Sequence, residues 1–115
     1  MKLTIYYLKS CDTCRKAINA LKQAGHELEL IDVRQDGIDP DVLKNAISAH
    51  GWDAVLNRRS TTWRSLDDDN KGELDDRKAG SLITQHPTLM KRPLILSEQN
   101  STIGWKSEQE KIWLG

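Results

Sequence analysis

The chain has 115 residues, of which 37% are hydrophobic and 30% are charged, and its seventeen basic residues balance seventeen acidic ones. These values are typical of one soluble globular domain that buries its own core. A net charge of zero argues against direct binding of nucleic acid, which needs a surplus of positive charge. No apolar run approaches the roughly 20 residues of a membrane span, and residues 1–5 lack the features of a signal peptide.

The first third of the chain predicts a βαβ unit. Residues 2–8 become apolar on both faces, as in a central strand. From residue 12 to about residue 24, apolar residues recur at helical spacing, and Gly25 follows as the residue that ends the helix. Residues 27–33 predict a second strand, which would lie parallel to the first after a right-handed crossover.

Residues 37–88 predict a helical subdomain inserted after this unit. The apolar spacing and the helix-start residues predict helices at residues 39–51, 52–56, 60–66 and 75–86. Residues 67–72 resemble a calcium-binding loop, but lysine stands at two of its ligand positions, so we interpret them as a polar loop.

The last part of the chain predicts two strands and a helix. Residues 92–96 return to strand, residues 97–101 form a polar turn, and residues 102–104 predict a short antiparallel partner. Ser107 and Glu108 are predicted to cap a last helix that runs through Leu114. The whole order predicts a single α/β domain over residues 1–115, with a four-stranded mixed sheet and helices packed against it.

Cys11 and Cys14 are the only cysteines, and both fall in the first turn of the first predicted helix. Unpaired N–H groups and the helix dipole favour a thiolate there, and such cysteines have pKa values of roughly 3.5–7.5. Cys11 is predicted to be the exposed nucleophile, and Cys14 a resolving thiol or simply a packed side chain. Zinc would need two more ligands, and the three histidines are scattered. We therefore expect sulfur chemistry and no metal.

Three arginines are candidates for holding an anion at Cys11. Arg15 lies in the same helical turn, Arg58 in the helical insertion, and Arg92 beside Pro93 at the start of a strand. Guanidinium groups bind carboxylates and oxyanions bidentately, and they lower the pKa of a nearby thiol. The alternatives are solvated surface arginines and a proline that only begins a strand.

The chain contains four motifs in order: Tyr7-x-x-x-Cys11-x-x-Cys14-Arg15, Leu56-Asn57-Arg58-Arg59, His86-Pro87-x-Leu89-x-x-Arg92-Pro93 and Gly104-Trp105-x-Ser107-Glu108. Together they resemble the ArsC family of arsenate reductases, Spx transcriptional regulators and short YffB-like proteins, and the length is most similar to the YffB-like branch. The resemblance implies a thioredoxin-like (glutaredoxin-like) fold with a helical insertion and a cis bond before Pro93. It also implies that Cys11 is the nucleophile and that Arg58 and Arg92 bind an anion.

Two residues depart from the pattern of the arsenate reductases. Trp105 stands where they carry a third arginine, and Cys14 stands where they carry a serine-type residue. A dense oxyanion needs several charge-assisted partners, so we do not expect tight arsenate binding. The C-x-x-C pair instead resembles that of Spx, whose cysteines form a redox switch and which binds the RNA polymerase α subunit.

These observations favour a thiol-dependent reductase of a reducing compartment, the cytoplasm. Cys11 would attack an oxidised substrate, Cys14 or glutathione would resolve the intermediate, and glutathione or a glutaredoxin would restore the thiols. We expect no bound cofactor and a monomer. An Spx-like regulator that binds RNA polymerase α is the first alternative, and an arsenate reductase is the second.

Overall fold

The computed structural model describes residues 2–66 and 72–115. A four-stranded sheet with the order β2-β1-β3-β4 is formed by Lys2–Tyr7 (β1), Glu27–Asp32 (β2), Leu94–Leu96 (β3) and Ser101–Ile103 (β4). β2 pairs parallel with β1, whereas β3 pairs antiparallel with β1 and β4 antiparallel with β3. The predicted mixed sheet, with β1 as a central strand, is confirmed.

The described residues also form seven α-helices: Asp12–Gln23 (α1), Val33–Asp36 (α2), Pro40–His50 (α3), Trp52–Val55 (α4), Thr61–Ser65 (α5), Asp76–Gln85 (α6) and Ser107–Leu114 (α7). A turn of 3-10 helix occupies Pro87–Leu89. None of these helices is both long and apolar enough to cross a membrane. Of the polar loop predicted at residues 67–72, residues 67–71 lie outside the part of the chain that the structure describes.

The chain separates into two compact units, one of Met1–Asp36 with Arg92–Gly115 and one of Gly37–Lys91. The core of the first unit contains side chains of β1, β3, α1 and α7: Leu3, Ile5, Ile18, Leu21, Ile95 and Trp113. Alternate residues of a strand lie on one face of the sheet, and residues three or four apart lie on one face of a helix. These apolar side chains therefore pack together in one cluster.

Trp113 of α7 makes two hydrogen bonds that hold this helix to the rest of the first unit. Its indole N–H donates to the hydroxyl of Thr102 in β4 at 2.8 Å. Its backbone carbonyl accepts from Nε2 of His26, just before β2, at 2.8 Å. The tryptophan is 5% exposed, so its indole N–H needs such a partner inside the core.

Helix α1 ends in a Schellman motif. The N–H of Gly25 donates to the carbonyl of Lys22, and the N–H of His26 donates to that of Leu21, both at 3.1 Å. Gly25 has φ +90°, a conformation that glycine adopts at little cost. The predicted helix end at Gly25 is confirmed.

The second unit is built from α3, α4, α5 and α6. Its buried side chains are Leu43, Ala46, Ile47, Val55, Leu56, Ala79, Leu82, Ile83, Leu89 and Met90. Three side-chain oxygens cap its helices: Asp39 accepts from two N–H groups of α3, Ser60 from the N–H of Trp63, and Asp75 from that of Lys78. These caps confirm the predicted helix starts.

Strand β2 is one residue shorter than predicted, because a helix begins at Val33. The carboxylate of Asp32 accepts from the N–H groups of Arg34 and Gln35 at 2.8 and 3.2 Å. Asp32 therefore acts as a helix cap at the end of its own strand, and the chain turns into α2 at once. At the last helix, Oε1 of Gln109 accepts from the backbone N–H of Lys106 at 2.9 Å, and Lys106 is the residue that precedes the helix. The predicted cap at Ser107 is therefore wrong, because Ser107 is already the first helical residue.

Candidate active site

Cys11 lies in the turn between β1 and α1 and is the residue that precedes the helix. Its backbone is extended, with φ −91° and ψ 114°. Its N–H donates to the carbonyl of Leu8 at 3.0 Å, and its carbonyl accepts from the N–H of Arg15 at 3.1 Å. The turn is thus fixed on both sides, and the Cys11 side chain is partly exposed.

The pKa of Cys11 lies below the ordinary value of a cysteine thiol. Partial burial raises this pKa, but four interactions together lower it by more: hydrogen bonds from the backbone N–H and the side chain of Cys14, and the charge and a hydrogen bond of Arg92. The Cys14 N–H is the third of the helix, which a cap side chain normally accepts. The first turn of α1 thus contributes to the lowered pKa of Cys11, although the Cys11 side chain makes no cap hydrogen bond.

Cys14 has the opposite character. It is 0% exposed and shares the buried face of α1 with Ala17, Ile18 and Leu21. Burial raises the pKa of Cys14 from 9.0 to about 12, and the nearby Cys11 adds to this rise, while the backbone N–H of Leu8 and the charge of Arg92 oppose it. One sulfur of the pair is therefore suited to be a thiolate and the other a thiol.

The structure brings Arg92 and Pro93 to this site, because β3 pairs beside β1 in the same sheet. The Arg92–Pro93 peptide bond is cis, as the resemblance implied. Pro93 is fully buried, and its carbonyl accepts from the N–H of Gly104 at 3.0 Å. Arg92 is therefore held at the start of β3, with its charge acting on both cysteines.

The other two candidate arginines have carboxylate partners of their own. Arg15 forms an ion pair with Asp12, one turn apart on the surface of α1. Arg58 belongs to the second unit, where its guanidinium pairs with Asp53 and lies 5.7 Å from the ring centre of Trp52. Their role as anion ligands stays a prediction.

Sequence reasoning missed two contributions to the site. The backbone N–H of Leu8 acts on Cys14, and the thiol of Cys14 acts on Cys11. The effect of Cys14 on Cys11 could have been predicted from the spacing, because residues three apart are neighbours on the surface of a helix. Trp105, at the position of the missing third arginine, packs against the core of the first unit. In residues 2–66 and 72–115, no three His, Cys, Asp or Glu side chains group as metal ligands would.

The sequence profile of the ArsC family matches residues 6–112, a stretch that contains both cysteines and the Arg92–Pro93 junction. The chain belongs to the ArsC family. An uncharacterized protein of Haemophilus influenzae is 42% identical over 107 residues, covering 93% of this chain and 94% of that relative. The global transcriptional regulator Spx 2 of Bacillus cereus is 29% identical over 114 residues, covering 96% of this chain and 85% of the regulator.

A solved structure of a YffB protein matches this chain with a TM-score of 0.92 and 34% identity, covering 98% of this chain and 99% of that one. The match confirms the thioredoxin-like fold that the resemblance implied, and it confirms the likeness to the YffB-like members of the ArsC family. Within this fold, the ArsC cysteine motif lies at the junction of β1 and α1.

Proposed function

We propose that the protein is a thiol-dependent reductase of the cytoplasm that uses Cys11 as its nucleophile and glutathione as its electron donor. The observation that carries this proposal is the lowered pKa of Cys11, a partly exposed residue on whose thiol the charge of Arg92 acts. A thiolate, and not a thiol, attacks disulfides, so a lowered pKa raises the fraction of reactive sulfur at neutral pH.

The reaction is a series of thiol–disulfide exchanges. The Cys11 thiolate attacks one sulfur of a substrate disulfide, forms a mixed disulfide and releases the other half as a thiolate. A second thiol, from glutathione or Cys14, then attacks and releases the remaining half of the substrate. With glutathione, a further molecule frees Cys11 and leaves as glutathione disulfide, so two glutathione molecules supply the two electrons. A glutaredoxin could take the place of glutathione in this last step.

The charge of Arg92 fits such a cosubstrate. Glutathione carries two carboxylates, and guanidinium groups bind carboxylates through charge-assisted, bidentate hydrogen bonds. Arg92 is fixed next to the sulfur by the buried Pro93, so it can both stabilise the thiolate and hold an anion there. We propose Arg15 as an additional carboxylate ligand, which would have to exchange Asp12 for the ligand.

The test is the rate of glutathione-dependent reduction of hydroxyethyl disulfide, followed through the formation of glutathione disulfide, for the wild type and Cys11→Ser. We expect saturable turnover in the wild type and only the uncatalysed rate in the variant, because a serine hydroxyl does not form the mixed disulfide. Circular dichroism of both proteins controls for folding. Equal rates in the two proteins would overturn the proposal.

An Spx-like regulator is the second candidate, favoured by the C-x-x-C pair and the 29% identity to Spx 2. In that case a disulfide between Cys11 and Cys14 would control binding to the RNA polymerase α subunit. Retention of purified α subunit that changes between the reduced and the oxidised protein, without reductase turnover, would favour the regulator.

Arsenate reduction is the third candidate. Trp105 is packed against the core and offers no positive charge to an oxyanion. We therefore expect no arsenate-dependent turnover in the presence of glutathione and glutaredoxin.

A further inference from the structure

A groove of about 500 Å³ lies between α3 and α6 in the second unit. Its deepest side chains are apolar: Leu43 and Ile47 of α3 are 3% and 6% exposed, and Gly80 of α6 faces the side chain of Ile47. The residues of α3 that line the groove extend from Pro40 to Ser48, so it is about 12 Å long. Small-molecule sites in proteins are mostly apolar clefts of roughly 300–1,000 Å³, and this groove has that size.

Gly80 leaves the centre of the groove without a side chain. Its backbone is helical, within Asp76–Gln85, and has no positive φ. A methyl group added there would lie 3.5 Å from Cδ1 of Ile47, which is ordinary van der Waals contact. Because alanine is the better helix former, neither the helix nor its packing against α3 requires glycine at this position. The glycine instead provides room for an apolar group in the groove.

The rim of the groove carries an excess of positive charge. Lys44 of α3 and Arg77 of α6 are exposed residues that line it, and Asp76 adds one negative charge. In residues 2–66 and 72–115, Lys44 and Arg77 form no ion pair. A cation on each helix, above an apolar floor, complements a ligand that has an apolar body and a negatively charged group.

We propose that the groove between α3 and α6 binds an aliphatic carboxylate. Its chain would lie on Leu43, Ile47 and Gly80, where its CH₂ groups are removed from water. Its carboxylate would accept charge-assisted hydrogen bonds from Lys44 or Arg77. The elongated shape of the groove favours a straight chain. The proposal does not rest on the reductase function, because it uses neither cysteine.

The first experiment titrates the isotope-labelled protein with decanoate and follows the backbone amide signals by NMR. We expect saturable shifts concentrated in residues 40–48 and 76–84. Decyltrimethylammonium, which has the same chain and the opposite charge, should bind about tenfold more weakly, because like charges repel. The absence of saturable shifts up to about 10 mM decanoate, or equal binding of the two probes, would overturn the proposal.

The second experiment repeats the decanoate titration with variants of the charged residues. Lys44→Gln and Arg77→Gln should each weaken binding about threefold, as expected for the loss of one exposed charge. Lys111→Gln removes the same charge from an exposed position on α7 and should leave the affinity unchanged. Equal weakening in all three variants would show an effect of net charge alone and would contradict the assignment to the groove.

The third experiment changes the shape of the groove at Gly80. Gly80→Ala should weaken decanoate binding about threefold and Gly80→Leu should abolish it, because both side chains enter the space of the ligand chain. Circular dichroism controls for the folding of the leucine variant. The alanine variant should be at least as stable as the wild type, so unfolding would not explain its weaker binding. Wild-type affinity in Gly80→Ala would place decanoate elsewhere on the protein and refute the proposed site.

Discussion

At the scale of single residues, Cys11 and Cys14 show how position alone separates two identical side chains. Cys11 lies at the N-terminal end of α1, where the charge of Arg92 acts on it, whereas Cys14 faces the core. Local interactions lower the pKa of Cys11, and the loss of solvation raises the pKa of Cys14. The two cysteines of the C-x-x-C motif therefore differ in acidity, the pKa of Cys11 being lowered and that of Cys14 raised.

Arg92 is the charge that distinguishes the Cys11 site from an ordinary helix N-terminus, and Arg15 supplies a matched control on the same unit. We expect Arg92→Gln to raise the pKa of Cys11 by about one unit, since an opposite charge at close range is removed. Arg15→Gln should leave it nearly unchanged, because that guanidinium is paired with Asp12. The titration of thiolate absorbance, supported by the rate of alkylation with iodoacetamide at neutral pH, measures both. Equal shifts in the two variants would contradict the assignment to Arg92.

The sequence made Arg92 and Pro93 candidates to lie beside Cys11, because a strand-to-helix turn and a strand start at one end of a sheet come together in this fold. It left a surface arginine and a proline that only begins a strand as an equal alternative. It could not show that Arg15 and Arg58 have acidic partners, because a pairing between surface side chains depends on rotamers that no spacing fixes. Nor could it decide between a packed and a reactive Cys14. That question depends on the area that the sulfur exposes.

At the scale of elements, each end of α1 has an identifiable structural role. Its first turn contributes to the lowered pKa of Cys11, and its last turn is closed by Gly25 at φ +90°. The helix end was predictable because few residues other than glycine adopt this conformation. The end of β2 was not predictable, because Asp32 lies within a sequence pattern that is still typical of a strand. Asp32 acts as a helix cap only after the chain has turned into α2.

Gly25 and Gly80 should respond in opposite ways to the same substitution. A methyl group on Gly25 meets no atom within 4 Å, but the backbone there has φ +90°, so Gly25→Ala should lower the free energy of unfolding by about 1 kcal/mol. Gly80 is helical, and its new methyl would lie 3.5 Å from Cδ1 of Ile47. Gly80→Ala should therefore raise the free energy of unfolding by about 0.5 kcal/mol. Urea denaturation of both variants measures these changes, and a stabilising Gly25→Ala would refute the first.

At the scale of the whole molecule, the buried Cys14 couples stability to pH. In the folded protein its pKa is about 12, against an ordinary value of 9.0. Between these two pH values the unfolded chain has released this proton and the folded chain has kept it, so unfolding releases a proton and stability falls as the pH rises. The contribution is complete below the unfolded pKa and is lost on the way to the folded one.

We therefore expect the wild type to lose more stability than Cys14→Ala when the pH is raised from about 8 to about 10.5. Denaturation in urea with a reductant present gives the free energy of unfolding of both proteins at each pH. The comparison cancels the titration of lysines and tyrosines, which both proteins share. A difference between the two proteins that does not change with pH would contradict the raised pKa of Cys14.

The four tryptophans are divided equally between the two units, so they can report on the unfolding of each unit. Trp105 and Trp113 belong to the first unit, Trp52 and Trp63 belong to the second, and the chain has no phenylalanine. Replacing either pair leaves tryptophan fluorescence, excited at a wavelength that tyrosine does not absorb, from a single unit. The fluorescence of each double variant is measured against denaturant concentration. Comparison of the two unfolding curves then shows whether the two units unfold together or one after the other.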